Sequence, residues 1–197
     1  MKKAWVFSAA VLLLCSWGLP AASAERPTEG LGQWLQEAGV VVGYADGSLK
    51  RDLDFDVASV GMRFGFDLKP FTEKFGFEPP GMLEIIYEPT IGAITEPESN
   101  VELALTMFFR YAFPMTQKLY PFVEVGTGPY YYTLHTYEQS TQFNFMSAGG
   151  AGLIYFLRED WAVNAGYRRR HVSNLSIKEP NGGIDANVFT LGLSYYF

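Results

Sequence analysis

Apolar side chains recur at every second position along most of this chain. In "NVELALTMFFRYAF", Val101, Leu103, Leu105, Met107, Phe109, Tyr111 and Phe113 share one face, while Glu102, Ala104, Thr106, Phe108, Arg110 and Ala112 share the other. That is the period of a β-strand with one apolar side, and no long segment carries a helical period. The alternation predicts eight strands, at about 37–46, 55–67, 81–91, 100–113, 119–135, 142–157, 161–174 and 185–197, broken at turn-rich segments such as "DGSLKRD", "EPPG", "TEPES", "FPMTQK", "LRED" and "KEPNGG". Many of these exceed the roughly 5–6 residues usual in soluble sheets and reach the roughly 9–11 needed to cross a bilayer at a tilt.

The second face of the strands carries small or charged groups: Ser59, Gly61, Arg63 and Gly65 in one, Asn164, Gly166, Arg168 and Arg170 in another, and Glu84 and Glu124 elsewhere. The lumen of an eight-stranded barrel is narrow and filled by side chains, so these acids and arginines are expected to pair across it. A soluble lipocalin-like barrel would reverse the pattern, with apolar groups inside. The fold class expected is therefore all-β, an eight-stranded antiparallel transmembrane β-barrel of the outer membrane.

Both ends of the chain agree with that reading. Lys2 and Lys3, an apolar run from Ala4 to Leu14 and the small residues Ala22, Ser23 and Ala24 have the layout of a secretory signal peptide. The run is shorter than the ~20 residues of a membrane-spanning helix, so residues 1–24 are expected to be cleaved, leaving 25–197 as one barrel domain. Cys15 would be lost with the peptide, and disulfide chemistry with it. At the other end Phe189, Leu191, Leu193, Tyr195 and Phe197 alternate on one face, which resembles the terminal strand of Gram-negative outer-membrane barrels. Without Lys2 and Lys3 the 15 basic residues fall to 13, against 21 acidic ones, a net charge of −8 in place of −6. That balance disfavours nucleic acid as a partner.

The seventh strand ends in His171-Val172-Ser173-Asn174. An even number of strands puts both termini in the periplasm, so the loop that follows is extracellular. Two-residue spacing places His171 and Ser173 on the face of Trp161, Val163, Ala165 and Tyr167, which is the lipid side. Asp185 opens the eighth strand in register with the outward Phe189, Leu191 and Leu193, and a hairpin folded near Lys178 brings it opposite His171. Ionisable groups on a lipid face are costly and tend to mark function. The three types suit nucleophilic ester cleavage: Ser173 as nucleophile, His171 as base, Asp185 as orienting acid, with Asn174 as oxyanion donor. A rim histidine that binds water or headgroups remains the plainer alternative at this point.

At these residues the chain resembles the lipid A 3-O-deacylases, the PagL family of acyloxyacyl hydrolase-like proteins. The likeness is carried by His171-Val172-Ser173-Asn174, Pro180-Asn181, the Gly183-Ile184-acid step, "PFVEVGTG" at 121–128, and "FNF" with "GAGL" within 143–153. The resemblance implies an outer-membrane esterase that removes the 3-O-linked acyl chain of lipid A without metal or other cofactor. It assigns the Ser173, His171, acid-185 and Asn174 roles above and brings Asn181 and Phe145 near the substrate. Its partners would be lipid A or lipopolysaccharide in the outer leaflet and the membrane itself, and it leaves a homodimer open. The family commonly has Glu where this chain has Asp185, with Glu179 as a second acid nearby. Arg169 lies on the same outward face and is expected to meet a lipid A phosphate or to snorkel. The rival reading is a non-enzymatic structural or adhesion barrel of the small outer-membrane type.

Overall fold

The structure is a computed structural model that describes residues 34–49 and 53–197; the expected signal peptide, 1–24, lies outside the described residues. Eight strands, β1 (Leu35–Leu49), β2 (Leu53–Asp67), β3 (Met82–Glu96), β4 (Asn100–Ala112), β5 (Leu119–Tyr132), β6 (Phe143–Phe156), β7 (Trp161–Ser173) and β8 (Ile184–Tyr196), pair in chain order and close β8 onto β1. Every pairing is antiparallel. Closure leaves no unpaired strand edge, which a structure in hydrocarbon requires.

Two elements depart from the pattern-based reading. The third strand runs on to Glu96 instead of stopping near 91. Pro89, which lacks an N–H, sits mid-strand opposite Leu105 of β4, while the pairing of β2 with β3 skips from Gly61↔Thr90 to Phe64↔Tyr87. The ladder is interrupted where the donor is missing, and the strand continues. Between β2 and β3 the periplasmic turn holds a short helix, α1 (Lys69–Thr72), and a 3-10 turn, Glu73–Phe75, stopped by Gly76 at φ 70°. Pro70 within the first helical turn has no hydrogen bond to lose there.

The lumen is solid and layered. At the outer end Phe55, Ile94, Tyr130, Tyr132, Leu134, Val172 and Ile184 are buried in one apolar cluster. At the periplasmic end Met82, Phe122, Ile154 and Tyr196 are buried in another. Between them lies a ring of charges. Arg63 bonds Glu88 (2.8 Å), Glu88 bonds Arg168 (2.6 Å), Arg168 bonds Glu124 (2.6 Å), Glu124 bonds Arg110 (3.1 Å), Arg110 bonds Glu37 (3.0 Å), and Glu37 faces Arg63 again at 3.9 Å. Arg170 pairs with Glu102 at 3.0 Å, and Tyr130 donates to the same carboxylate. The guanidinium groups of Arg168 and Arg110 lie over Phe108 and Phe122, 4.0 and 4.6 Å from the ring centres. The expected lumen pairing is thus present.

The outer wall exposes Val60, Met62, Ile91, Leu103, Leu105, Phe109, Val123, Val125, Leu153 and Phe189. In water a patch of that extent would drive association; around a closed barrel it is the surface that meets lipid.

Candidate active site on the outer wall

Strands β6, β7 and β8 build the site, and their register fixes its rows. Ser147, His171 and Asp185 lie side by side across the three strands. One step toward the cell exterior Phe145 lies beside Ser173. One step inward along the wall come Gly149, Arg169 and Asn187, and one further Ala151, Tyr167 and Phe189. All of these point outward because the alternate residues, Arg168, Arg170 and Val172 on β7, are buried in the lumen. On β6 the outward neighbours of His171, Arg169 and Tyr167 are only Ser147, Gly149 and Ala151. A shallow trough therefore runs down the wall, headed by Phe145, whose ring packs edge-on against Phe143 at 5.5 Å.

The imidazole and the acid meet: His171 Nδ1 lies 2.9 Å from Asp185 Oδ1, and both side chains are about half exposed (50% and 54%). Glu179, the other nearby acid, instead accepts the backbone N–H of Asn181 at 3.1 Å. Ser173 stands two residues from His171 on the same face, half-buried. No hydrogen bond joins Ser173 to His171 among the described residues. Such nucleophile–base bonds are often long until substrate arrives.

Asn174 does not take the place expected of it. Its side chain turns away from Ser173 and is fully buried. The amide nitrogen donates to the Lys178 carbonyl at 2.7 Å and to Ser140 Oγ at 3.3 Å, so its donors are committed to the loop instead of to a developing oxyanion. The reason is alternation: the residue after an outward serine faces inward. Asn181 supports the same loop, its Oδ1 accepting the Asn174 backbone N–H at 3.0 Å. The loop 174–183 is tied to the neighbouring loop 133–142 as well. Ser140 N–H donates to Pro180 O (3.0 Å), Gly182 N–H to Glu138 O (2.7 Å), and Ser140 Oγ to Lys178 O (2.8 Å). Two loops thus brace the stretch between Ser173 and Asp185.

Arg169 is also engaged within the chain. Its Nη1 donates to Asn187 Oδ1 at 3.1 Å and its Nη2 lies 3.6 Å from Asp185 Oδ2. The Tyr167 hydroxyl donates to the same Asn187 oxygen at 2.8 Å. Tyr167 and Asn187 were not singled out from the sequence, although two polar groups in register on a lipid-facing wall were signal enough to do so.

Gly183 closes the loop over the imidazole. Its φ is +73°, and a Cβ built there would stand 2.5 Å from His171 Cε1 and 3.2 Å from Nε2. Only glycine combines that backbone conformation with that approach. Gly183→Ala is therefore expected to push the ring off Asp185. Any catalysis by the pair should fall by about 100-fold, the scale of ångström-level misplacement, and the strained φ should lower thermal stability slightly as well. Kinetics and heat denaturation on the same preparation check this.

Known proteins bear on this geometry. A family model described as lipid A 3-O-deacylase (PagL) matches residues 56–194. No curated protein matches the chain. Among solved structures, the outer membrane enzyme PagL is 21% identical, with 77% of this chain and 97% of that one covered and a TM-score of 0.61. Neisserial surface protein A is 12% identical, with 82% and 96% covered and a TM-score of 0.63. At these identities the two structures bear on the fold alone.

Proposed function

The chain belongs to the lipid A 3-O-deacylase family and is an integral outer-membrane protein, and we propose that it hydrolyses the ester that joins an acyl chain to the 3 position of lipid A. The observation that carries this reading is the His171–Asp185 pair, 2.9 Å apart on the lipid-facing wall at its extracellular end. Two ionisable groups are expensive there unless they serve chemistry on a lipid.

In this reading the acyl chain lies along the trough of Ser147, Gly149 and Ala151, with the ester level with Ser173. Ser173 Oγ attacks the carbonyl carbon while its proton passes to His171 Nε2. Asp185 accepts the Nδ1–H, holding the tautomer that leaves Nε2 free, and stabilises the imidazolium once formed. The tetrahedral adduct collapses, the C–O bond to the sugar breaks, and Nε2 returns the proton to the leaving alkoxide. Water, deprotonated by the same nitrogen, then attacks the acyl-serine and releases a free fatty acid. Phe145, beside Ser173, bounds the trough. Asn181 acts through the loop it holds. The identity of the oxyanion donor is left to groups other than the Asn174 amide.

The test is a mass spectrum of lipid A from a Gram-negative host with and without the expressed protein. Loss of one 3-linked hydroxyacyl group is the expected result. An unchanged lipid A beside a folded, surface-located barrel would overturn the reading and favour the structural or adhesion alternative.

A further inference from the structure

We infer that Arg169 is a positioning residue for the catalytic pair, holding the second oxygen of Asp185 so that the first stays on His171, and that it does not receive a lipid phosphate. The inference rests on the esterase reading above and deepens it. Asp185 has a partner at each oxygen, a hydrogen bond from Oδ1 to His171 Nδ1 at 2.9 Å and an ion-pair contact from Oδ2 to Arg169 Nη2 at 3.6 Å. Arg169 is itself held by Asn187 at 3.1 Å, and Asn187 by Tyr167 at 2.8 Å. A line of four outward side chains from β7 and β8 therefore ends on the imidazole.

Depth and charge both argue against a phosphate partner. Arg169 lies four residues below Ser173 along β7, which at ~3.3 Å per residue puts its backbone about 13 Å along the strand from the ester, and its guanidinium reaches back to Asp185. Lipid A carries its phosphates on the sugars, at or above the level of the ester. The guanidinium is also already engaged by an acid, Asp185, at 3.6 Å.

The chemistry gives the arrangement a use. Without Arg169 the resting site would carry one net negative charge on a wall facing lipid, where a lone charge is costly. With it the site is neutral at rest, Arg⁺ against Asp⁻. It is neutral again in the tetrahedral adduct, where imidazolium balances the oxyanion. The longer Glu common in this family can reach a histidine by adjusting its own chain. Asp185, shorter by one methylene, has less freedom, and a partner on Oδ2 fixes which way its carboxylate turns.

The experiment compares wild type with Arg169→Met and Arg169→Lys in detergent-solubilised full-length barrel. Two readouts are taken: initial rates on bis-phosphorylated and dephosphorylated lipid A, and the ¹⁵N shifts of the His171 ring, assigned with His171→Asn. The expected result for Arg169→Met is a roughly 10–100-fold fall in kcat, up to the cost of an ångström-scale misplacement of a reactive group. KM should change little on either substrate, with a loss of the Nδ1–H tautomer signature. Arg169→Lys should recover much of both. A rise in KM confined to the phosphorylated substrate, with kcat and ring shifts intact, would identify a phosphate contact and overturn the inference; unchanged rates and shifts would overturn it too. Should wild type prove inactive on lipid A, the esterase reading fails, while the ring shifts still decide whether Arg169 positions the pair.

Discussion

Ser173→Ala is expected to lower deacylation by about 10³-fold or more, the scale on which serine hydrolases lose rate with their nucleophile, and to leave the barrel folded. The second half follows from the side chain's surroundings. Ser173 is half-buried at the end of β7 and its hydroxyl forms no hydrogen bond to a side chain among the described residues. Removing its oxygen therefore strands no partner and opens no buried cavity. His171→Ala should cost a similar factor, because without the imidazole the serine proton loses its acceptor. The double variant should be scarcely worse than either single one, since residues that act as one unit do not contribute additively. Lipid A mass spectra over a time course, read beside heat-modified mobility of the folded barrel, measure both halves. Factors that simply multiply in the double variant would show that the two side chains do not act together.

The second large effect lies in the lumen. Arg110 is fully buried and joins Glu37 and Glu124 at 3.0 and 3.1 Å, with Glu84 at 3.9 Å. Arg110→Met keeps much of its bulk over Phe122 but leaves those carboxylates without their shared cation in a closed interior. Breaking a buried pair from one side typically costs about 3–5 kcal/mol. Glu124 keeps Arg168 at 2.6 Å and Glu37 keeps Arg63 at 3.9 Å, so the lower part of that range is expected, read as a drop in the urea midpoint in detergent. Adding Glu124→Gln should recover part of the loss, because it removes one negative charge from a ring left with an excess of them. The Arg168–Glu124 bond at 2.6 Å is sacrificed in that rescue, so recovery should be incomplete. A single variant as stable as wild type would mean that water satisfies the three acids.

The barrel was legible because its physics is periodic. Strand β4 alternates without a break, and its inward residues Glu102, Thr106, Phe108, Arg110 and Ala112 are all buried. The third strand was read five residues short of its end at Glu96, because its outer stretch carries a weaker alternation than β4. The short helix at Lys69–Thr72 was not foreseen, since four residues carry too few positions to show a 3.6-residue period. In the site, the meeting of His171 and Asp185 followed from counting strand positions on either side of one loop. The bracing by Ser140 did not, because it comes from a loop 34 residues away in sequence and nothing local encodes that contact. The inward turn of the Asn174 side chain was available from the same alternation that puts Ser173 on the outer face.

The placement of the site on the wall of a filled barrel sets the scale on which its speed must be expressed. Both ends of the lumen are stopped by apolar clusters and its middle by the ring of arginines and glutamates, so substrate and product can come and go only sideways. Encounter is then diffusion in two dimensions. Saturation depends on how many ester-bearing molecules share each unit of leaflet area, and diluting them with inert amphiphile at constant bulk molarity should slow turnover just as withdrawing them would.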